Sequence, residues 1–522
     1  MSEDLLYGLG LGAYMGLMIL VGYLVKDRIK TSEDYLVAGR SFGLFFNSAT
    51  LLACFLGGTM LIAVPGRIYS VGLWDDVYLS GGALSIVGGS FLCLLIMGTF
   101  YLGKMWRCRF ISLGDFFYTR FGRKTGIVST ALMSLTFIIW IAVQILVFGK
   151  IVNAIIGWDL ETSIIVAMVV ICSYTILGGL FAVCFTDIIQ VSITFAGLLV
   201  LVPFSISAVG GWDVFSSTYN SDLIRIIPRE GTGSDHWIAW LAALAIIALG
   251  NVASPDLMQR AFSAKSPNVA RASAYVSSVV MCLFAILVAM AALCGAILVG
   301  NGVITDQYLL GNEALGITPD PELLLPVLSK TILPLPLLVL FLGAALSAVM
   351  SAAATSSLAL SGVVSMNIYR DIINPKASGK SLVTVTRITV LVVGVIGTCI
   401  ALNYPDAMEL CALCFDLLLS SLAITVTLGL FWKKANGVGA MCGMIAGMGF
   451  RVVGGAIDGG SFTLQALAYP EHWYYFTLSA PLVCLIVTVT VSLATQKISK
   501  PLPLPDHGEK SVQEEVVMSK TA

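Results

Sequence analysis

The chain has 522 residues, of which 58% are hydrophobic and only 11% are charged. Soluble domains carry about 25% charged residues and rarely build a single core beyond about 300 residues, so these numbers exclude an ordinary soluble protein. The formal net charge is −1, which gives no indication of a nucleic-acid partner.

Long apolar runs predict an all-α membrane protein with about thirteen transmembrane helices. A helix needs about 20 mostly apolar residues to cross a hydrocarbon core of about 30 Å. Runs of this kind lie at 5–25, 43–65, 77–100, 126–156, 162–180, 184–207, 237–258, 273–300, 331–364, 384–403, 408–432, 437–457 and 475–495. No basic segment precedes the first run, so we interpret it as a span and not as a cleaved signal peptide.

Basic residues are distributed unevenly among the loops. If the N-terminus is outside, the inside segments carry 23 of the 29 Lys and Arg residues and the outside segments carry five. The positive-inside rule predicts such an asymmetry. We therefore expect a multi-pass protein of the cell membrane (plasma or bacterial inner membrane) with its N-terminus outside. The polar tail, 496–522, is predicted to be cytoplasmic and disordered.

Two predicted spans are interrupted by helix-breaking residues. The second contains Gly57 and Gly58 near its middle, and the seventh contains Gly250, Asn251 and Pro255. Broken helices at membrane depth are tolerated where they line a cavity. Two breaks five spans apart are typical of secondary transporters with inverted repeats. The alternative is that these glycines only allow close helix packing.

Four ionisable residues lie in apolar sequence: Asp187, Asp256, Asp416 and Arg451. Each costs about 2.5–3.5 kcal/mol at the centre of a membrane helix, so each is a functional candidate. Asp416 and Arg451 are equally well explained as a structural ion pair. The pair Cys411 and Cys414 forms a CxxC without a nearby His, and we expect no metal or redox role for it.

Hydroxyl side chains recur along the ninth predicted span. Ser347, Ser351 and Thr355 are spaced four residues apart, so they share one helix face. Hydroxyl and carbonyl oxygens suit a hard cation such as Na⁺, which requires a partner helix with free carbonyls, and the interrupted second span is the candidate. The alternative is a Ser/Ala face that packs closely against a neighbour. No HExxH, GxSxG or Cys/His cluster indicates an enzyme.

Several stretches together resemble the sodium:solute symporter family: SEDYLVAGR (32–40), FLGGTMLIAVPGRIYSVG (55–72), LGGLFAVCFTDIIQ (177–190), DLMQRAFSAKS (256–266) and SAVMSAAATSSLALSGVVSMNIYRDI (347–372). The resemblance covers about residues 5–495. It implies a LeuT-like fold of two inverted five-helix repeats with a broken helix at the start of each. We place the repeats at about 43–207 and 237–432, within one transmembrane domain, 1–495.

The resemblance also implies a sodium site between the second and ninth spans. Its ligands are the carbonyls of Ala53, Leu56 and Ala348 and the hydroxyl of Ser351. Many members carry a second hydroxyl where this chain has Ala352. In members with a second sodium site, residues matching Asp187 and Thr355 take part.

Within the family, the chain most resembles the high-affinity choline transporter branch, by GLW at 72–74, Trp140 and RVVGG at 451–455. The implied substrate pocket contains Cys54, Phe55, Trp74, Trp140, Ser254 and Asp256. Tryptophans matching Trp74 and Trp140 cage a quaternary ammonium through cation–π attraction. Ser254 replaces the third tryptophan of the cage, and Asp256 lies nearby, so choline, another amine or a zwitterion is expected.

The resulting hypothesis is sodium-coupled symport of a small organic solute by alternating access. One monovalent cation that crosses about 100 mV releases about 2.3 kcal/mol, enough for roughly 40-fold accumulation of solute. Proton coupling through Asp187 or Asp256, or transport driven by the membrane potential, stays open. So does a solute sensor on the same scaffold, although the short tail holds no output domain.

Overall fold

A computed structural model of the chain describes residues 37–506 except 78, 80, 313–316 and 469, together with Gly12 and Gly16. The side chains of 177–182 are also not described. The first predicted span, 5–25, therefore lies outside the described residues apart from its two glycines. Residues 507–522 of the predicted disordered tail lie outside them as well.

The described residues form helices throughout, without any β-strand. The first half contains α1 (Leu44–Ala53), α2 (Val64–Ser70), α3 (Leu84–Ile96), α4 (Leu102–Arg107), α5 (Leu113–Phe121), α6 (Arg123–Ile156), α7 (Leu160–Val209) and α8 (Trp212–Thr218). The second half contains α9 (Ser234–Gly250), α10 (Pro255–Phe262), α11 (Pro267–Gly300), α12 (Gln307–Leu310), α13 (Leu324–Ile332), α14 (Leu335–Val363), α15 (Gly379–Asn403), α16 (Ala407–Leu418), α17 (Ile424–Phe431), α18 (Gly437–Asp458), α19 (Leu464–Ala468) and α20 (Trp473–Ala494).

Short turns of other helical types join several of these helices. Tight 3₁₀ turns lie at Ala38–Arg40, Ser221–Ile224, Asn251–Ala253 and Pro321–Leu323. Wider π-helical turns lie at Thr59–Ala63, Met97–Tyr101, Val364–Ile373 and Leu419–Ala423. Because π turns interrupt the regular hydrogen-bond ladder, they are common near functional sites in helical proteins.

Ten helices in the described part of the chain are long and apolar enough to cross a bilayer. The second predicted span is broken, so α1 alone is shorter than a membrane crossing. The all-helical membrane architecture is confirmed, while the count of thirteen spans remains approximate.

One difference concerns the predicted junction between the fifth and sixth spans, at 178–187. The backbone is helical throughout α7, which has 50 residues and covers both predicted spans. Glycine weakens a helix interior by only about 1 kcal/mol, so a glycine pair without a proline need not end a helix.

Both predicted interruptions are present. The helices on either side of the first interruption, α1 and α2, are separated by non-helical backbone from Cys54 to Gly57 and by the π turn that follows. The second interruption follows α9, where one 3₁₀ turn leads to extended backbone at Ser254 before Pro255 begins α10. Proline is favoured at the first helical position because its missing amide has no intrahelical partner there.

The two interruptions lie against three long helices. Helix α14 packs against both α6 and α7, and α10 packs against α14. Farther along the chain, Arg451 of α18 contacts Asp416 of α16, with 2.5 Å between Nε and Oδ2. Thr477 of α20 donates to the same carboxylate at 2.9 Å. The expected Asp416–Arg451 pair therefore exists and ties the last three long helices together.

The described chain continues past α20 in an irregular segment that ends at Asp506. Arg120 of α5 donates from Nη1 to the carbonyl of Leu502 at 2.7 Å, and from Nε to Gly429 of α17 at 2.9 Å. Part of the tail thus lies against the ends of α5 and α17.

Candidate functional site

The break between α1 and α2 lies directly against α6 and α14. A β-carbon added to Gly58 would come within 2.3 Å of the Val147 side chain and 3.0 Å of the Val349 side chain. One added to Gly57 would lie 3.0 Å from the Ala352 side chain. These glycines therefore allow the broken backbone to approach two helices more closely than any larger residue would.

The break also frees backbone oxygens that a continuous helix would use. Among the described residues, no backbone amide donates to the carbonyl of Ala53 or of Leu56. Ala348 and Ser351 lie on α14 beside the break, and all four residues are buried. Neutral oxygens in such a setting suit Na⁺, so the residues fit the predicted ion.

The hydroxyl face of α14 turns mainly toward α7 and α10. Ser347 accepts a hydrogen bond from Gln190 of α7 at 2.6 Å. Ser351 donates to the Asp187 carboxylate, and Thr355 accepts from Arg260 at 2.6 Å. The three residues do share one face, as the spacing predicts, and Asp187 and Thr355 of the second predicted sodium site lie beside Ser351.

Arg260 is the residue at this place that sequence reasoning missed. Arg260 follows the seventh predicted span and is one of the 23 basic residues assigned to the inside segments, but its side chain is 0% exposed. Its Nη2 lies 3.2 Å from Asp187 Oδ2, and its Nη1 donates to the Thr50 carbonyl at 2.7 Å. We call Arg260, Asp187, Ser351 and Thr355 the Arg260 cluster. A charge count cannot find it, since a short helix carries Arg260 back into the protein.

A small cavity lies on the other side of the break. It is lined by Cys54, Phe55, Gly57, Thr59, Ile86, Ser90, Trp140, Ile247, Asn251, Asp256, Cys411 and Phe415. The rings of Trp140 and Phe415 meet edge to face at 5.1 Å. The cavity volume is about 20 Å³, close to the space of one water molecule, so the chain is closed around this cavity.

The carboxylate of Asp256 is the charged group of this cavity. It is 5% exposed and accepts hydrogen bonds from the Ser254 hydroxyl, from the Ser356 hydroxyl at 3.0 Å and from the Leu257 amide at 2.7 Å. Among the described residues, no Lys, Arg or His forms an ion pair with it within 4.0 Å. A buried carboxylate without a cationic partner is a candidate site for a cationic group of a ligand.

Five of the six predicted substrate residues come together here. Cys54, Phe55, Trp140 and Asp256 line the cavity, and Ser254 contacts it through Asp256. Trp74 does not. It lies in the loop after α2, where its indole donates to Asp76 at 2.8 Å.

A second, larger cavity lies beyond α2, next to the segments before α13 and before α16. Its volume is about 530 Å³. On its wall, Lys150 of α6 contacts Glu322 at 2.5 Å and Asp320 at 2.8 Å. We call these three residues the Lys150 cluster. The distribution of basic residues counts Lys150 with the outside segments, at the end of the predicted span 126–156, but its side chain is 2% exposed.

Glu322 is held by several neighbours besides Lys150. Its carboxylate accepts from the amides of Ala407 and Met408 at the start of α16, at 3.4 and 3.2 Å. The pKa of Glu322 is raised to about 7, chiefly by burial and also by Asp406 and Asp320, against the lowering effect of Lys150. Its backbone packs on Gly66, where an added β-carbon would lie 2.6 Å from the Glu322 Cα.

Comparison with known proteins finds transporters among the relatives of this chain. The chain is 30% identical over 452 residues to the high affinity choline transporter 1 of Homo sapiens, which covers 84% of this chain and 75% of the relative. It is 27% identical over 454 residues to the osmoregulated proline transporter of Bacillus subtilis, which covers 84% of this chain and 86% of the relative.

A solved structure shares the fold. A Na⁺-coupled sialic acid symporter in a substrate-bound outward-open state superposes with a TM-score of 0.77 at 17% identity, covering 95% of this chain and 99% of the other. Residues 35–447 match the sodium:solute symporter family. Broken helices, a shared fold and a family match over most of the sequence lead to one conclusion: this chain belongs to the sodium:solute symporter family.

Proposed function

We propose that this protein couples inward Na⁺ movement to the uptake of a small ammonium-bearing solute across a cell membrane. Its N-terminus lies outside and its C-terminal tail lies in the cytoplasm, as the distribution of Lys and Arg supports. The repeats at about 43–207 and 237–432 are the two halves that rearrange during transport.

The observation that carries the proposal is the position of the broken helix between two kinds of site. On one side, the carbonyls of Ala53 and Leu56 lie near Ala348 and Ser351 of α14. On the other side, Cys54 and Phe55 line the small cavity with Trp140 and Asp256. Because one short stretch of backbone, from Ala53 to Leu56, borders both places, a cation bound on one side stabilises the backbone shape that the solute needs on the other.

The solute class follows from the cavity walls. Trp140 and Phe415 present aromatic rings, and Asp256 presents a carboxylate that forms no ion pair among the described residues. Aromatic faces and a carboxylate both attract a positive nitrogen. Choline and proline, the solutes named for two of the relatives, each carry such a nitrogen. Trp74 does not line this cavity.

Transport by alternating access requires that the cavity open to each side in turn. The cavity of about 530 Å³ beside the Lys150 cluster is the outer approach to the broken helix. The Arg260 cluster closes the opposite side, since Arg260 joins α1, α7 and α14 there. Opening toward the cytoplasm therefore requires that these contacts loosen.

Uptake into proteoliposomes tests the proposal. The purified protein is reconstituted into vesicles. Labelled choline, glycine betaine or proline is then added outside, under an inward gradient of Na⁺, of K⁺ or of protons. The proposal predicts accumulation of one of these solutes with the Na⁺ gradient and little with K⁺. Accumulation with the proton gradient alone would replace sodium by proton coupling, and no uptake under any gradient would contradict transport of this solute class.

A further inference from the structure

The side chain of Gln144 is a buried polar group outside the two sites described above. It lies in the middle of α6 and is 0% exposed. Neither its Oε1 nor its Nε2 has a hydrogen-bond partner among the described residues. Buried amides are nearly always hydrogen-bonded, because an unpaired one loses its contacts with water and gains nothing in return. A buried amide without a hydrogen-bond partner therefore indicates that a ligand binds next to it.

The position of Gln144 indicates which ligand this is. It follows Trp140 by one helical turn and precedes Val147, which packs on Gly58, so this face of α6 runs along the break. A β-carbon on Gly57 would lie 3.2 Å from Gln144 Oε1 and 3.0 Å from the Ala352 β-carbon. The amide oxygen, the broken backbone and the Ala352 methyl group thus border the same small space.

We propose that Gln144 supplies the side-chain oxygen that Ala352 lacks, and so completes the sodium site at the break. The inference rests on the proposed function. Carboxamide oxygens are neutral ligands for hard cations, equivalent to the backbone carbonyls of Ala53, Leu56 and Ala348. The set of four carbonyl-type oxygens and the Ser351 hydroxyl then needs no second hydroxyl from α14.

The competing assignment is a contact between Gln144 and the solute. Gly57 lines the solute cavity, but Gln144 does not, and its amide lies on the side of Gly57 that faces Ala352. Trp140 occupies the cavity-facing position on the same helix. These contacts favour the cation over the solute.

A double-mutant cycle on the full-length protein in detergent tests the inference without measuring transport. Thermal unfolding is followed against NaCl concentration, with KCl holding ionic strength constant, for the wild type, Gln144→Leu, Ala352→Ser and the double variant. Thr136→Val is the matched control, because this buried hydroxyl of α6 bonds to its own helix at Met133. The choline concentration that half-stabilises each variant is measured in parallel.

Gln144→Leu is expected to raise the half-saturating Na⁺ concentration on the order of tenfold or more, while Thr136→Val leaves it unchanged. Ala352→Ser is expected to restore Na⁺ affinity in the Gln144→Leu background and to change it by less than about threefold in the wild type, because the wild-type site is already complete. The comparison of Ala352→Ser with the wild type needs no variant that lacks Gln144, so it tests the inference even if Gln144→Leu does not fold.

Two results overturn the inference. One is unchanged Na⁺ affinity in Gln144→Leu with weakened choline affinity, which assigns the amide to the solute. The other is a large gain of Na⁺ affinity from Ala352→Ser in the wild-type background, which shows a site short of one ligand. A wild type without any Na⁺-specific stabilisation contradicts the proposed function itself, which is a distinct outcome.

Discussion

The Arg260 cluster and the Lys150 cluster both bury a basic side chain beside acidic ones, but they are built differently. Arg260 and Asp187 are each 0% exposed and form a one-to-one ion pair. Lys150 is shared between two carboxylates, and one of them, Asp320, is 27% exposed beside the larger cavity. The first cluster has no access to water in this arrangement, and the second has.

This difference implies different roles. Removing one partner of a fully buried pair leaves an uncompensated charge, so the Arg260 cluster strongly favours the arrangement in which it forms. Lys150 has two acidic partners, and one of them lies at the edge of a cavity, so the Lys150 cluster tolerates changes in charge and hydration. The Lys150 cluster is therefore suited to an approach that admits ions, and the Arg260 cluster to a barrier that opens rarely.

Replacing Arg260 is expected to have the largest effect. Arg260→Met leaves Asp187 charged, buried and unpaired, which costs about 3–5 kcal/mol of unfolding free energy. Thermal unfolding in detergent measures this loss. The double variant Arg260→Met/Asp187→Leu is expected to recover most of it, because no charge remains buried. A double variant no more stable than Arg260→Met would contradict the one-to-one pairing.

Asp256 is another buried carboxylate, and it differs from those of both clusters because no Lys, Arg or His among the described residues forms an ion pair with it within 4.0 Å. Asp256→Asn is expected to weaken binding of an ammonium solute about 10- to 100-fold, since a charge-assisted contact contributes about 1.5–3 kcal/mol. Solute-dependent thermal stabilisation measures the affinity. Ser356→Ala, which removes a neutral donor to the same carboxylate, is the milder control. Equal solute affinity in Asp256→Asn would remove Asp256 from the solute site.

Replacing Lys150 is expected to cost less than replacing Arg260. In Lys150→Met, Asp320 is hydrated from the cavity and Glu322 keeps its bonds to the amides of Ala407 and Met408. We expect a loss of about 2 kcal/mol in the same unfolding assay. A loss as large as that of Arg260→Met would show that the two clusters do not differ as proposed.

The smallest expected effect is a pH dependence from Glu322. Its pKa is raised to about 7, so between its ordinary value near 4.5 and pH 7 the folded state binds more protons than the unfolded state. This contribution to stability is fully present below the ordinary value and is lost as pH rises through 7, about 1 kcal/mol between pH 6 and pH 8. Glu322→Gln should flatten the change in thermal stability over this range, and an unaltered slope would assign it to another group.

The sequence was most informative where a physical rule acts locally. Apolar length and the glycines and proline of 57, 58 and 255 predicted the helices and both breaks, because helix formation in lipid depends on a single segment. The regular spacing of Ser347, Ser351 and Thr355 predicted their shared face. The continuity of α7 was not predicted, since apolar length alone does not show whether two adjacent runs form one helix.

Long-range contacts account for what the sequence did not reveal. Arg260 follows the seventh predicted span in a segment that resembles a loop, and the return of α10 buries it. Lys150 lies near the end of the predicted span 126–156, where the 3₁₀ turn at Pro321–Leu323 covers it. Trp74 and Trp140 look alike as isolated aromatic residues, yet Trp74 lies in the loop after α2 and Trp140 lines the cavity. Gln144 is a lone amide in an apolar span, and its lack of a partner is visible only in three dimensions.

The central claim is that a cation and a solute on opposite sides of the broken helix stabilise each other. Equilibrium binding of labelled Na⁺ with and without solute, and of labelled solute with and without Na⁺, tests it directly on the purified protein. Each ligand is expected to raise the binding affinity of the other by the same factor, because coupling between two sites is reciprocal. Affinities that do not change when the other ligand is added would contradict it.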